Sequence, residues 1–204
     1  MNINHSKSTR SSIESGFSLV EVMISMVILT VGLLALLATL GVAMAANQTS
    51  QEDMIARQLA SEAMESIFNA RNTSQIGFAA IANTTAIPPG IFIAGPQQLL
   101  CPGPDGILDT ADDAPCLTAA GAPCPNAGVE CLTEPGPDGV VGTSDDVVLS
   151  LSNYTRTVTI TPLTDALGNT IPTMTSVTIT IQYTVPNLSH LKTYVLNEYI
   201  SSYH

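Results

Sequence analysis

Gly16-Phe17-Ser18-Leu19-Val20-Glu21 decides how this chain is read, because an apolar run follows it from Val22 to Ala46 without a single charged residue. As a helix those 25 residues reach about 37 Å, enough to cross a hydrocarbon core of about 30 Å. Ahead of Gly16 the chain is short and polar, with Lys7 and Arg10 as its cations. Glu21 stands at the mouth of the run. A carboxylate at membrane depth is costly, so it marks a functional position and calls for a partner.

A secretory signal carries its cleavage site after the apolar stretch, whereas the Gly16-Phe17 junction lies in front of it. The small residues Ala43-Met44-Ala45 offer the alternative, a conventional signal-peptidase site. Gly16-Phe17, with Glu21 five residues into the new chain and a long apolar helix behind it, resembles a class III prepilin leader of the type IV pilin and pseudopilin superfamily. The resemblance implies cleavage between Gly16 and Phe17 by prepilin peptidase and methylation of the Phe17 amine. It also gives Glu21 a filament-assembly role, pairing with the N-terminal amine of a neighbouring subunit. Two opposite charges that must both leave water cost far less together than apart.

Working outward, residues 1–16 are the leader, 17–46 the transmembrane or filament-core helix, and 47–72 its amphipathic continuation. No proline interrupts Phe17 to Arg71, although a proline kink is common in major pilins, and the helix runs on the order of 80 Å. Beyond Asn47 an apolar face continues through Ile55, Leu59, Ala63 and Ile67, with Ala56, Ala60, Met64 and Phe68 beside it, and a sheet should cover that side. Asp53 and Arg57 have the spacing of a surface ion pair. Val31 to Leu37 together with Leu59 to Ile67 resemble the PilV-type minor pilins and the related minor pseudopilins, over roughly the first third of the chain.

Charge bounds the remaining possibilities. The net charge of −11, and the absence of Lys and Arg from Asn72 to Thr155, argue against direct nucleic-acid binding, which needs a basic stripe for phosphates. Lys7 and Arg10 favour a cytoplasmic leader, which leaves the bulk of the chain outside the cytoplasm, where disulfides form. His5, His190 and His204 are scattered and compose no site, and no nucleophile-base pair or phosphate loop is present, so a membrane-anchored enzyme is the weakest class.

Residues 73–153 read as a loop region. Pro88-Pro89-Gly90 interrupts it, and Ile91-Phe92-Ile93 offers a short strand. Pro102-Gly103-Pro104-Asp105-Gly106 through Asp112-Asp113 returns 33 residues later as Pro135-Gly136-Pro137-Asp138-Gly139 through Asp145-Asp146. Each unit supplies an Asp-Gly turn, two apolar residues to dock inward and a terminal acidic pair. Clustered hard oxygens with no thiolate or imidazole suit Ca²⁺ in a structural role, without the ligand spacing of an EF-hand. Candidate ligands are Asp105, Asp109, Asp112 and Asp113 in the first unit and Asp138, Asp145 and Asp146 in the second, where Gly142 replaces the fourth carboxylate. The alternative is a pair of solvated acidic turns without metal. Cys101, Cys116, Cys124 and Cys131 allow three pairings, of which the local one, Cys101 with Cys116 and Cys124 with Cys131, is preferred.

From residue 154 to 204 the apolar period becomes two. Arg156, Val158 and Ile160 share one face of a strand, Val177 to Val185 one face of a second, and Thr193 to Ser201 can add an edge strand; Gly168-Asn169 marks a turn and Pro186-Asn187 a stop. The expected fold is α+β, the ladle of type IV pilins: a long N-terminal helix on a small antiparallel sheet with a disulfide-bearing, Asp-rich loop region. The resemblance implies a minor pilin built into or priming a type IV pilus in assembly, adhesion or motility, or else a minor pseudopilin of a type II secretion system. Implied partners are other pilin and minor pilin subunits, prepilin peptidase and the inner-membrane assembly platform. The implied location is the bacterial inner membrane as a single-pass protein, then the pilus or cell surface.

Overall fold

The computed structural model describes residues 16, 18–185 and 190–203. The chain forms α1 (Leu19–Asn72), a 3₁₀ turn (Phe78–Ala80), and strands β1 (Gln97–Gln98), β2 (Cys131–Glu134), β3 (Val147–Ser150), β4 (Tyr154–Thr164), β5 (Thr170–Thr184) and β6 (Leu191–Ser201). Two compact units divide it, residues up to Ala46 and residues from Asn47 on.

In the first unit the helix opens where the Ser18 carbonyl accepts the Glu21 and Val22 N–H groups at 3.0 and 3.2 Å. Its aliphatic side chains are exposed from Leu19 to Met44, and an 18-residue window reaches a mean hydropathy of 2.5, so α1 is long and apolar enough to cross a membrane. Three hydroxyls interrupt the apolar surface without leaving a bare polar group. Ser25, Thr30 and Thr39 donate to the carbonyls three residues back, at 2.8 to 2.9 Å.

The second unit holds the core. Ala56, Leu59, Ala60, Ala63, Met64, Ile67 and Ala70 of α1 are buried, and Ile55 and Phe68 are partly so. Small residues alternate with Leu, Met and Ile on this face, which lets the sheet approach closely. α1 ends in a Schellman-type turn: Ser74 takes φ +59°, and Gln75 N–H reaches the Ala70 carbonyl at 2.9 Å.

The four-stranded antiparallel sheet has the order β1-β4-β5-β6. Arg156, Val158 and Ile160 stand opposite Ile181, Ile179 and Val177, and all six are buried on one face. Each fully buried Val or Ile contributes about 1.5–3 kcal/mol relative to exposure. A second, two-stranded sheet, β2-β3, pairs Cys131 with Ser150 and Glu134 with Val147. This hairpin falls within residues 73–153, expected to be loop: each strand is four residues long, and the acidic unit between them obscures the alternation.

Ile91-Phe92-Ile93 does not form the expected strand. Phe92 is fully buried and makes a single bridge to Asn83. The buried Asn83 amide extends the sheet instead, donating to the Val158 carbonyl and accepting from Ile160 N–H, both at 2.8 Å. A side chain thus satisfies the edge of β4 past the point where the two-residue β1 stops. Pro186-Asn187, expected to end β5, lies outside the described residues.

Candidate functional site

The N-terminal site begins at Gly16, while Phe17 and the leader lie outside the described residues. Glu21 sits exposed in the first turn of α1, where unpaired N–H groups and the helix dipole favour a negative charge. Its carboxylate is therefore presented at the surface of the apolar helix, available to a cation from outside the chain.

The two acidic units fold alike. In the first, Ile107 N–H donates to the Asp105 carboxylate at 2.8 Å and Asp109 N–H to that of Asp113 at 2.8 Å. In the second, Val140 N–H donates to Asp138 at 2.8 Å and Gly142 N–H to Asp146 at 2.6 Å. Glycine is obligatory at one equivalent pair of positions. A Cβ on Gly103 would lie 2.2 Å from the Asp112 carbonyl oxygen, and one on Gly136 2.3 Å from that of Asp145. Asp109 and Gly142 share a left-handed backbone, φ +61° and +96°, which explains how one replaces the other.

A threonine anchors each unit. Thr110 Oγ1 lies 2.6 Å from Asp112 Oδ1, 3.3 Å from Asp113 Oδ1, 3.4 Å from Asp105 Oδ2 and 3.3 Å from the Ile107 carbonyl. Thr143 Oγ1 has Asp145, Asp146 and the Val140 carbonyl around it at 2.6, 3.4 and 3.1 Å. Each hydroxyl brings one proton to three or more acceptors. The threonine hydrogen bond holds Asp112 and Asp145 below the usual carboxylate range, whereas burial pushes Asp113 up. These hard oxygens suit calcium by type. Among the described residues, however, no three Asp, Glu, His or Cys side chains converge in an arrangement that could hold a metal ion.

The units differ in what they touch. Ile107 and Leu108 dock into the core at 1% and 3% exposure, as expected, but Val140 and Val141 do not: they stay exposed at 55% and 52%. Asp109 also leaves its own loop. Its Oδ2 pairs with Arg156 Nε at 2.6 Å, both side chains essentially without solvent contact. The sequence had already placed Arg156 on the inward face of β4. A guanidinium there needs a carboxylate from elsewhere, and that was the available signal for this pair.

Two further acids sit near the same sheet. Glu130 is pushed up to about 7, by burial first and by the neighbouring Glu62 second, with Arg156 opposing. The expected Asp53–Arg57 pair is absent. Asp53 instead pairs with Lys192 at 2.8 Å and accepts from the Tyr183 hydroxyl, contacts that hold its carboxyl below the ordinary range. Arg57 lies over the Tyr194 ring, 5.7 Å from its centroid. Beside them Tyr154 donates to Glu52 and stacks on Tyr183 with centroids 5.2 Å apart, so consecutive acids of α1 are tied to β4 and β5. Only long-range strand pairing brings Lys192 there, which local i, i+4 spacing has no means to foresee.

The disulfides follow the local pairing, Cys101 to Cys116 and Cys124 to Cys131. The first spans the first acidic unit. The second closes a turn in which Asn126 and Ala127 take φ +57° and +62°.

An apolar helix opening on a lone acid and continuing onto a disulfide-bearing antiparallel sheet defines a pilin-like α+β subunit. Residues 12–37 match the family model described as the prokaryotic N-terminal methylation motif, so the chain carries the processing motif of the type IV pilin superfamily. No curated protein and no solved structure matches the chain. The motif points to a structural protein of a pilus or pseudopilus, with processing by prepilin peptidase and assembly with other pilins implied by it, and with the apolar helix as its membrane anchor.

Proposed function

We propose that this protein is a non-catalytic minor pilin, cut between Gly16 and Phe17, methylated on Phe17 and drawn into or used to prime a type IV pilus through Glu21. The observation that carries this reading is the methylation motif at residues 12–37 set directly on an uninterrupted apolar helix. In the bilayer Glu21 is a charge awaiting a counter-charge, and the amine freed by cleavage of a neighbouring subunit supplies one. Its neutralisation favours transfer of the apolar helix from lipid into a fibre of similar helices. Mass spectrometry of the purified N-terminus, with and without prepilin peptidase, tests the first step. A mature chain beginning at methylated Phe17 supports the reading; a retained leader in a competent host, or a cut near Ala45, overturns it.

Glu21→Ala should be cleaved normally yet be depleted from sheared surface fibres. Loss of protein export in a deletion strain, with pili intact, would move the assignment to the pseudopilin of a type II secretion system.

Calcium belongs to the same proposal as a structural ion that would draw together Asp105, Asp112 and Asp113 in the first acidic unit and Asp138, Asp145 and Asp146 in the second, side chains that do not converge on a metal position in the structure as it stands. Asp109, expected as a fourth ligand of the first, gives one carboxylate oxygen to Arg156 and keeps the other buried without a hydrogen-bond partner. Supporting this is the duplicated excess of carboxylate oxygens around one threonine proton. Calcium chloride should slow proteolysis of residues 102–146 relative to chelator. Identical cleavage in both would remove the ion from the account.

A further inference from the structure

We propose that the C-terminal end of α1 carries a carboxylate-binding pocket built on Arg71, which takes the terminal carboxylate of a polypeptide.

Arg71 is a cation inside the protein, 8% exposed, in a chain that sets six Lys and Arg against 17 Asp and Glu. Buried charges are ordinarily paired. Among the described residues, however, the ion pairs are Arg156–Asp109 and Lys192–Asp53, and no carboxylate reaches Arg71. Its contacts are neutral oxygens: Nη1 donates to Asn72 Oδ1 at 3.0 Å, and Nη2 donates to the Tyr203 carbonyl. Nε is buried with no hydrogen-bond partner.

A guanidinium in the last turn of a helix can serve the free carbonyls there, but in α1 that duty is already filled. The carbonyls of Asn69, Ala70 and Arg71 accept from Thr73, Gln75 and Ser74 N–H at 2.9, 2.9 and 3.0 Å. Arg71 is left with a charge that the helix end does not use.

Nε and Nη2 lie on one edge of the guanidinium, and that edge matches the two oxygens of a carboxylate. Here it holds a single oxygen, the Tyr203 carbonyl, on one of its two donors. Tyr203 is 73% exposed, so its carbonyl can yield Nη2 to an entering carboxylate whose second oxygen engages Nε. Arg71 lines a pocket of about 180 Å³ with Ser74, Ile76, Gly77, Phe78 and Ser202. The Ser74 and Ser202 hydroxyls make no hydrogen bond among the described residues, so both remain to donate, while Ile76 and Phe78 form an apolar wall. The volume is below the roughly 300–1,000 Å³ of ordinary small-molecule sites, which suits one terminal residue with an apolar side chain. Either this chain from beyond Tyr203 or a partner polypeptide can supply that residue.

Side-chain Nε–Hε NMR of the full chain in detergent micelles tests the site and separates the two sources. N-acetyl-alanyl-leucine should move the Arg71 resonance saturably. Its C-terminal amide should bind about tenfold more weakly, the factor a hydrogen bond to a charged group is worth. Arg71→Lys keeps the charge but loses the fork, and should weaken binding of the acid by a similar factor, followed through the Gly77 and Ser202 amides. A response that appears only when the chain is extended past His204 by a short Gly-Ser tail supports the site, with the chain's own end as its occupant. No response from either chain, or equal affinity for acid and amide, overturns the proposal. Neither result bears on the fibre reading.

Discussion

Replacing Asp109 by Ala removes the counter-ion of a guanidinium that has no route to water. Arg156 is fully buried, its Nε lies 2.6 Å from Asp109 Oδ2, and its Nη1 and Nη2 have no other hydrogen-bond partner among the described residues. Losing one member of a buried pair costs about 3–5 kcal/mol, because the remaining charge stays desolvated. In a unit of this size each kcal/mol lowers Tm by about 2–4 °C, so Asp109→Ala should fall by about 6–20 °C. Near-UV circular dichroism reads the transition well, since Tyr154 and Tyr183 are both buried and no tryptophan is present. The first acidic unit should also become protease-sensitive, because Asp109 ties it to β4. Asp109→Ala with Arg156→Met should recover most of the loss, by substituting apolar packing for the pair. An Asp109→Ala protein within 1 kcal/mol of the parent, or a double variant no better than the single one, would refute the argument that charge burial dominates here.

Glu130 should make stability pH-dependent. Its carboxyl titrates near 4.5 unfolded and is raised to about 7 folded, so the folded state holds a proton that the unfolded state has lost. That contribution is fully present below pH 4.5 and disappears as pH rises through 7. After discounting for its partial exposure, Glu130→Gln should gain about 1–2 kcal/mol at pH 8 and almost nothing at pH 4, read from urea midpoints. A gain equal at both pH values would exclude titration as the cause. Replacing Cys101 and Cys116 by Ser should cost about 3 kcal/mol, and Cys124 with Cys131 about 2.4 kcal/mol, as expected from loops of 15 and 7 residues in the chain-entropy model, also read from urea midpoints. Gly103→Ala and Gly136→Ala create the same close contact, yet they should differ in reach. The first lowers Tm, because its loop is docked in the core; the second leaves Tm nearly unchanged and opens only residues 135–146 to protease. Equal Tm losses would show that both loops are integral to the core.

Much of this molecule was legible because its signals are local. The apolar run after Glu21, the rows from Ile55 to Phe68, the alternation of Arg156, Val158 and Ile160, and the turn at Gly168-Asn169 all reflect periodicities of 3.6 or 2 that a single element imposes on its own residues. The recurrence of the acidic unit was equally visible, whereas the need for Gly103 and Gly136 in it shows only where the folded backbone closes on them. What tertiary structure alone decided is which of two nearly identical motifs would be buried, and with which partners the charges would pair. Ile107 and Val140 occupy equivalent positions, and only the chain around them sends one inward and leaves the other in water. Asp53 faces Lys192 across 139 residues and Asp109 meets Arg156 across 47, while Asn83 fills the edge of β4 beyond the two residues of β1. Spacing along the chain fixes which residues share a face; desolvation fixes which opposite charge or amide must arrive to meet them, and that choice exists only once the elements have packed.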